Sequence, residues 1–135
     1  MVTCAGFIIY RKKRGVEFLL LKQREGGHFS FPKGHNEKRE TLIQTARREL
    51  FEETGIISVT INKGFKHLIK YKVNVKNKLL DKEVHLYLGE VNSDTYITLS
   101  DEHTEYSWLK YTAARKCLKF DNQKEILQKA FLFLV

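Results

Sequence analysis

Three glutamates, Glu49, Glu52 and Glu53, stand within five positions of a segment, residues 40–54, that is predicted to form one helix. With about 100° of rotation per residue, Glu49 and Glu53 fall within roughly 20° of Leu42, at the border of the predicted apolar face. Glu52 lies about a fifth of a turn further round. Carboxylates at these spacings repel one another, and partial burial makes their ionised forms costly.

Two kinds of partner could stabilise this acidic cluster. Arg47 and Arg48 are adjacent in the sequence, but the helical positions predict that both point toward other sides of the helix. A hard divalent cation is the other partner, because Mg²⁺ and Mn²⁺ take carboxylate oxygens and keep water ligands that leave room for a phosphate. The alternative is a solvated acidic helix end, which does not explain why Glu49 and Glu53 share the apolar border.

The segments around this helix alternate between strand and helix patterns. Gly55 is predicted to end the first helix in a left-handed conformation, and Asn122 with Glu125 is predicted to form a capping box for the last one. The polar segment 76–83 is predicted to be a hairpin loop, and the first two strands are predicted to pair. Strands are predicted over residues 3–11, 17–23, 28–31, 56–61, 65–75, 84–91 and 105–109, and helices over 40–54, 112–118 and 123–134. The expected fold is therefore a mixed sheet with helices packed against it, of the α/β (α+β) class.

The composition suits one compact domain that attracts anions. The chain has 135 residues, and 24 Lys and Arg against 16 Asp and Glu give a net charge of +8. The charge favours nucleic acid, an acidic membrane surface or a small polyphosphate as partner, although solubility alone would also explain it. Cys4 and Cys117 are far apart, which favours two buried thiols over a disulfide. Because no apolar run is long enough for a signal peptide or a membrane span, we expect a cytoplasmic protein without a membrane partner.

Residues 34–56 match every fixed position of the pattern G-x5-E-x7-R-E-U-x-E-E-x-G-U, where U is a bulky aliphatic residue. The matching residues are Gly34, Glu40, Arg48, Glu49, Leu50, Glu52, Glu53, Gly55 and Ile56. On this motif the chain resembles the Nudix hydrolases. The resemblance implies an α/β/α sandwich over a mixed sheet and one Nudix hydrolase domain spanning residues 1–135.

The resemblance also implies roles for the motif residues. Mg²⁺ or Mn²⁺ would be bound by the carboxylates of the helix and by the backbone carbonyl of Gly34. The general base would be one of these carboxylates or Glu102 from a later loop. Glu40 and Arg48 would hold the loop–helix–loop together, and Gly55 would be a structural cap. The metal-binding carboxylates implied are Glu49, Glu52 and Glu53.

Segments outside the motif resemble the animal-type diadenosine tetraphosphate (Ap4A) hydrolases, which cleave Ap4A asymmetrically to ATP and AMP. They are residues 31–35, 64–66 and 99–109, together with Tyr71 and Lys82. The resemblance implies that Tyr71 stacks on an adenine and that four basic residues contact the polyphosphate. These are His28, Lys33, His35 and Lys82. The expected partner is a nucleotide polyphosphate, and the expected state is a monomer.

Three other functions fit parts of the same pattern. The net charge suits RNA, and enzymes that hydrolyse pyrophosphate or remove caps at RNA 5′ ends carry similar motifs, but no basic and aromatic stripe extends beyond the core. Diphosphoinositol polyphosphate hydrolases usually have a glycine run where this chain has Lys33-Gly34-His35. A catalytically inactive nucleotide or RNA sensor would have no need for three mutually repelling glutamates.

Overall fold

The central element is strand β1 (Val2–Lys12), which runs through the middle of a seven-stranded mixed sheet. The computed structural model describes residues 1–135. The other elements are β2 (Val16–Gln23), β3 (Phe29–Ser30), β4 (Lys33–His35), α1 (Leu42–Thr54), β5 (Thr60–Val75), β6 (Lys78–Glu90), β7 (His103–Leu109), α2 (Tyr111–Cys117) and α3 (Asp121–Leu134). The sheet order is β3-β2-β1-β6-β5, while β4 also pairs with β1 and β7 with β2. The pairing of β1 with β6 is parallel, and the other pairings are antiparallel.

Both faces of β1 are buried because helices cover the sheet on each side. Phe7 and Ile9 belong to one apolar cluster, which includes Leu50 of α1. Ile8 belongs to a second cluster on the opposite face, which includes Leu127 of α3. Alternate residues of a strand point to opposite faces, so a continuous apolar run is what a doubly covered strand requires. The predicted α/β/α sandwich with a mixed sheet is confirmed.

Helix α1 begins two residues later than predicted, because Thr41 caps it. The Thr41 hydroxyl accepts a hydrogen bond from the Gln44 amide at 3.2 Å, and the Gln44 side chain accepts one from the Thr41 amide at 2.9 Å. This reciprocal capping box leaves Glu40 outside the helix. The predicted end is confirmed: Gly55 has a φ of 76°, the left-handed conformation that a glycine adopts without strain.

The predicted loop over residues 76–83 is wrong, because β5 and β6 form one long hairpin. Their turn is confined to Lys76 and Asn77, whose φ values are 50° and 65°. Beyond the β1 pairing that starts at Val2↔Lys82, the hairpin is an exposed two-stranded ribbon, and its polar composition reflects that exposure. Residues 56–59, predicted as part of a strand, are not in one.

The predicted capping box of the last helix is also wrong. Helix α3 begins at Asp121 after Phe120, which makes no side-chain capping bond, so Asn122 lies inside the first turn. Ile126, Leu127 and Ala130 of this helix are buried. Both cysteines are free, but Cys117 is exposed, contrary to the prediction of two buried thiols, because it ends the short surface helix α2. None of the helices is long and apolar enough to cross a membrane.

Strand β4 approaches β1 closely at Gly6, which pairs with Lys33. A Cβ atom at Gly6 would overlap the carbonyl oxygen of Pro32 and the Cβ of Lys33. The Phe7 amide also donates a 3.0 Å hydrogen bond to the Pro32 carbonyl, so the backbone cannot simply move away. Glycine at this position therefore sets where β4 lies.

We expect Gly6→Ala to destabilise the fold by about 1–3 kcal/mol, because a methyl group would be forced into a closely packed backbone contact. Urea unfolding followed by circular dichroism measures the change. Leu68→Ala, at an exposed position of β5, is the control and should have a much smaller effect. A Gly6→Ala midpoint equal to that of the wild type would contradict this account of β4.

Candidate active site

The Arg48 guanidinium joins the start of the motif to its helix. Its Nε donates to Glu40 Oε2 at 2.7 Å, and its Nη2 donates to Glu40 Oε1 at 3.1 Å and to the His35 carbonyl at 2.9 Å. Its Nη1 donates to Glu49 Oε1 at 3.1 Å and to Glu52 Oε1 at 3.0 Å. The prediction from helical positions that Arg48 points away from the carboxylates is wrong, because its long side chain turns back toward them. Arg47 is exposed.

Glu40 is held in its ionised form by this contact. Besides Arg48, its Oε1 accepts hydrogen bonds from the Glu37 amide at 3.0 Å and from the Thr45 hydroxyl at 2.9 Å. The Arg48 hydrogen bond is the largest of the causes that lower the pKa of Glu40 to about 2. Donors that stabilise a carboxylate lower its pKa in this way. The Glu40–Arg48 pair that the motif implies is therefore present.

Glu53 has the opposite environment. It is 3% exposed, and burial is the main cause that raises its pKa to about 9; a hydrogen bond to the Glu49 carboxyl raises it further. His103 Nε2 lies 3.6 Å from Glu53 Oε1, and Nδ1 of the same ring lies 3.2 Å from the Ser100 hydroxyl. The Ser100 amide also donates to the Glu53 carbonyl at 3.2 Å. The loop before β7 is thus tied to the end of α1.

The donor atoms of this cluster fit a hard divalent cation. Glu49, Glu52 and Glu53 offer carboxylate oxygens, and Glu52 is half exposed. The Glu49 carboxyl packs against Gly34 so closely that a Cβ atom there would overlap it. No group of three His, Cys, Asp or Glu side chains is arranged as a ready metal site, and Arg48 donates hydrogen bonds to two of these carboxylates. A cation would have to compete with both contacts.

Lys33 lies where a partly open cavity and a wider cleft meet. The cavity has a volume of about 360 Å³, and its lining includes His28, Lys33, Tyr71 and Lys82. Tyr71 pairs with Lys82 across the β5–β6 hairpin, and the Lys82 ammonium lies 5.6 Å from the centre of the Tyr71 ring. Burial is the main cause that lowers the pKa of Lys33, and the nearby charge of Lys82 lowers it further. Four of the predicted substrate residues are therefore brought together.

The cleft has a volume of about 700 Å³ and is lined by Lys33, Glu53, Glu102 and His103, among others. Of the four candidate bases, Glu53 and Glu102 line it, whereas Glu49 and Glu52 do not. His35 lines neither space. Its side chain is exposed, and its backbone carbonyl accepts a hydrogen bond from Arg48. The structure thus brings together most of the predicted site residues and leaves His35 at the side.

Several residues of the site were not predicted. Gln23 and Phe31 line both spaces, and Phe120 and Gln123 line the cavity. The Gln123 amide donates to the Ser30 hydroxyl at 3.2 Å, but its buried Oε1 has no partner. Phe31 lies in the segment 31–35 that carries the resemblance, whereas no spacing in the sequence connects Gln23, Phe120 and Gln123. An aromatic residue directly before α3 was the one available signal, for Phe120.

Comparisons with known proteins agree with this geometry. The NUDIX domain family matches residues 2–130. A Sus scrofa protein named bis(5'-nucleosyl)-tetraphosphatase [asymmetrical] is 37% identical, with 98% of this chain and 95% of that protein covered. A Caenorhabditis elegans protein of the same name is 33% identical over 99% of this chain and 97% of that protein. The crystal structure of a C. elegans Ap4A hydrolase binary complex superposes with a TM-score of 0.91 and 33% identity, covering 99% and 98% of the two chains.

The Arg48 contact predicts an acid dependence of stability. The pKa of Glu40 falls from an ordinary 4.5 to about 2 on folding, so its contribution is complete above about pH 4.5 and is lost as the pH falls toward 2. Glu40→Gln should therefore be less stable than the wild type at neutral pH, and this difference should shrink between pH 4.5 and 2. Thermal unfolding at stepped pH measures it.

Glu125→Gln, an exposed change on α3 outside this network, is the matched control. Its difference from the wild type should stay constant over the same pH range. A Glu40→Gln difference that is equally constant would show that Glu40 gains no stability from Arg48.

Proposed function

The chain belongs to the Nudix family and is a Nudix hydrolase, and from that premise we propose that it cleaves dinucleoside polyphosphates, cutting Ap4A asymmetrically to ATP and AMP. One observation carries the proposal: the cavity and the cleft meet at Lys33. A nucleoside in the cavity would place its phosphate chain beside Lys33 and lead it toward Glu53 and Glu102. This is the order of groups that a nucleoside polyphosphate presents.

The cavity suits a nucleoside because aromatic and cationic groups line it together. Tyr71 is half-buried and Phe120 half-exposed at its wall, and either ring offers a face to a base. His28 packs edge-on against Phe120, with ring centroids 5.5 Å apart. Lys82, beside Tyr71, supplies a charge for the first phosphates. We assign adenine stacking to Tyr71 and phosphate contacts to His28, Lys33 and Lys82, with His35 a more distant candidate.

We propose that Mg²⁺, or Mn²⁺, is held by Glu49, Glu52 and Glu53 with the Gly34 carbonyl. When bound, such a cation supplies neutralisation of phosphate charge and polarisation of a water molecule. Arg48 orients two of the three carboxylates through its contacts with Glu49 and Glu52. Its role, and that of Glu40, is to fix the helix against the preceding loop.

The proton of the attacking water needs an acceptor that faces the cleft. Glu53 and Glu102 both line it, and we assign the general base to Glu53, with Glu102 as the alternative. The His103 ring, which contacts the Ser100 hydroxyl, packs beside this carboxyl with Nε2 at 3.6 Å from Glu53 Oε1. Because burial raises the pKa of Glu53 to about 9, this carboxyl would accept the proton of the water only once a bound cation has made it ionise.

Hydrolysis of Ap4A in ¹⁸O-labelled water, with and without Mg²⁺, tests the proposed function. We expect ATP and AMP as products, metal dependence, and label in only one of the two, because water attacks one phosphorus in line. Mass spectrometry resolves the products and shows which phosphorus is attacked. Absence of Ap4A turnover alongside turnover of triphosphorylated or capped RNA would contradict the proposal and move the activity to RNA ends.

Separate Glu53→Gln and Glu102→Gln variants test the base. We expect Glu53→Gln to lower kcat by about 10²–10⁴-fold, as the loss of a general base does. Glu105→Gln, which makes the same substitution at an exposed position of β7, is the control. Undiminished turnover in either variant eliminates that residue as the base. Because Glu53 is also a proposed ligand, recovery of kcat at high Mg²⁺ would assign it to metal binding alone.

Three inferences from the sequence stay predictions: the arrangement as one Nudix domain over residues 1–135, the monomeric state and the cytoplasmic location. Sedimentation of the purified protein and fractionation of the source cells would check the last two.

A further inference from the structure

Arg24 ties two loops together at the rim of the cleft. Its backbone amide donates a hydrogen bond to the Glu102 carbonyl at 2.8 Å. Its side-chain Nε donates to the Asp101 carbonyl at 2.7 Å, across 77 positions of the sequence. Both acceptors belong to the loop that carries the candidate base Glu102. The position of Arg24 is therefore fixed relative to that loop at two points.

The rest of the Arg24 guanidinium has no protein partner. A guanidinium has five N–H donors, of which Nε–H is used here. Neither Nη group makes a hydrogen bond, and no carboxylate lies within 4.0 Å of this charge, although Glu25 and Glu102 line the same cleft. Arg48 shows the contrast, since its Nε and both of its Nη groups are engaged by protein oxygens. Arg24 thus presents an oriented, unneutralised cation.

The cleft that Arg24 lines also contains Lys33, Glu53 and Glu102. Arg24 and Lys33 are the arginine and the lysine of its lining, beside the carboxyl groups of Glu53 and Glu102. An anion with several oxygens could accept from the free Nη groups of Arg24 while another of its groups contacts Lys33. Planar, forked donors suit phosphate oxygens particularly well.

We propose that Arg24 is a phosphate-binding residue, whose two free Nη groups contact the polyphosphate of the substrate beside Glu53 and Glu102. This rests on the proposed function for its substrate, and it adds a contact from the loop between β2 and β3. Because the Nε bond already orients the guanidinium, less conformational freedom is lost when phosphate binds. The same bond links phosphate binding to the loop that carries Glu102.

Binding of inorganic tripolyphosphate in the presence of Mg²⁺, measured by calorimetry, tests this contact without a nucleoside. We expect Arg24→Ala to raise the Kd about 10-fold or more, since a charge-assisted hydrogen bond is lost. Arg24→Lys should recover only part of the affinity, because one ammonium cannot bond the Asp101 carbonyl and present a fork to phosphate. Arg47→Ala, which removes the same charge from an exposed position of α1, should bind tripolyphosphate like the wild type.

The outcomes separate this proposal from the proposed function. Equal tripolyphosphate affinity in Arg24→Ala and Arg47→Ala would overturn it, as would failure of the wild type to bind tripolyphosphate. A loss of Ap4A turnover in Arg24→Ala with unchanged tripolyphosphate binding would also overturn it, leaving Arg24 as a loop tether. A wild type that binds tripolyphosphate through Arg24 but does not cleave Ap4A would contradict the proposed function alone.

Discussion

The hydrogen bonds between Arg48 and Glu40, at 2.7 and 3.1 Å, hold together the parts of the chain on which the site depends. Glu40 stands before α1, and Arg48 stands in its second turn. Through the His35 carbonyl the same guanidinium also reaches β4, whose first residue is Lys33. One side chain thus connects the loop, the helix and the strand. A single exposed ion pair contributes little, but a shared and partly buried guanidinium with several acceptors fixes geometry.

The glutamates around this contact show how environment gives one residue type different properties. Glu40 faces three kinds of donor, and its pKa is lowered to about 2. Glu53 is buried beside another carboxyl, and its pKa is raised to about 9. Desolvation and a like charge act on Glu53, while hydrogen bonding acts on Glu40. The ionised Glu40 stabilises the fold, whereas the buried Glu53 needs an additional positive charge beside it in order to ionise.

The amino-acid sequence predicted much of this arrangement, because the motif is local. The spacing of Glu49 and Glu53 relative to Leu42 correctly placed both at the edge of the core. The direction of the Arg48 side chain did not follow from helical positions, since four flexible bonds separate its charge from the backbone. The β5–β6 ribbon was misjudged because its exposed residues have the composition of a loop. Arg24 was missed because Asp101, whose carbonyl it bonds, lies 77 positions away in the sequence.

Lys33 belongs to the wall of the cavity and to the wall of the cleft, whereas Tyr71 and Phe120 belong only to the first and Glu53 and Glu102 only to the second. This division has a consequence for how such a protein can diverge. Under the proposed function, substitutions at the aromatic wall would alter which base is preferred and leave the hydrolytic chemistry intact. Changes in the loop near Glu102 would alter the chemistry without disturbing the choice of base. A substitution at Lys33, which lines both spaces, would affect both at once. Substrate preference would therefore diverge through single substitutions on either side of Lys33, and not through substitution of Lys33 itself.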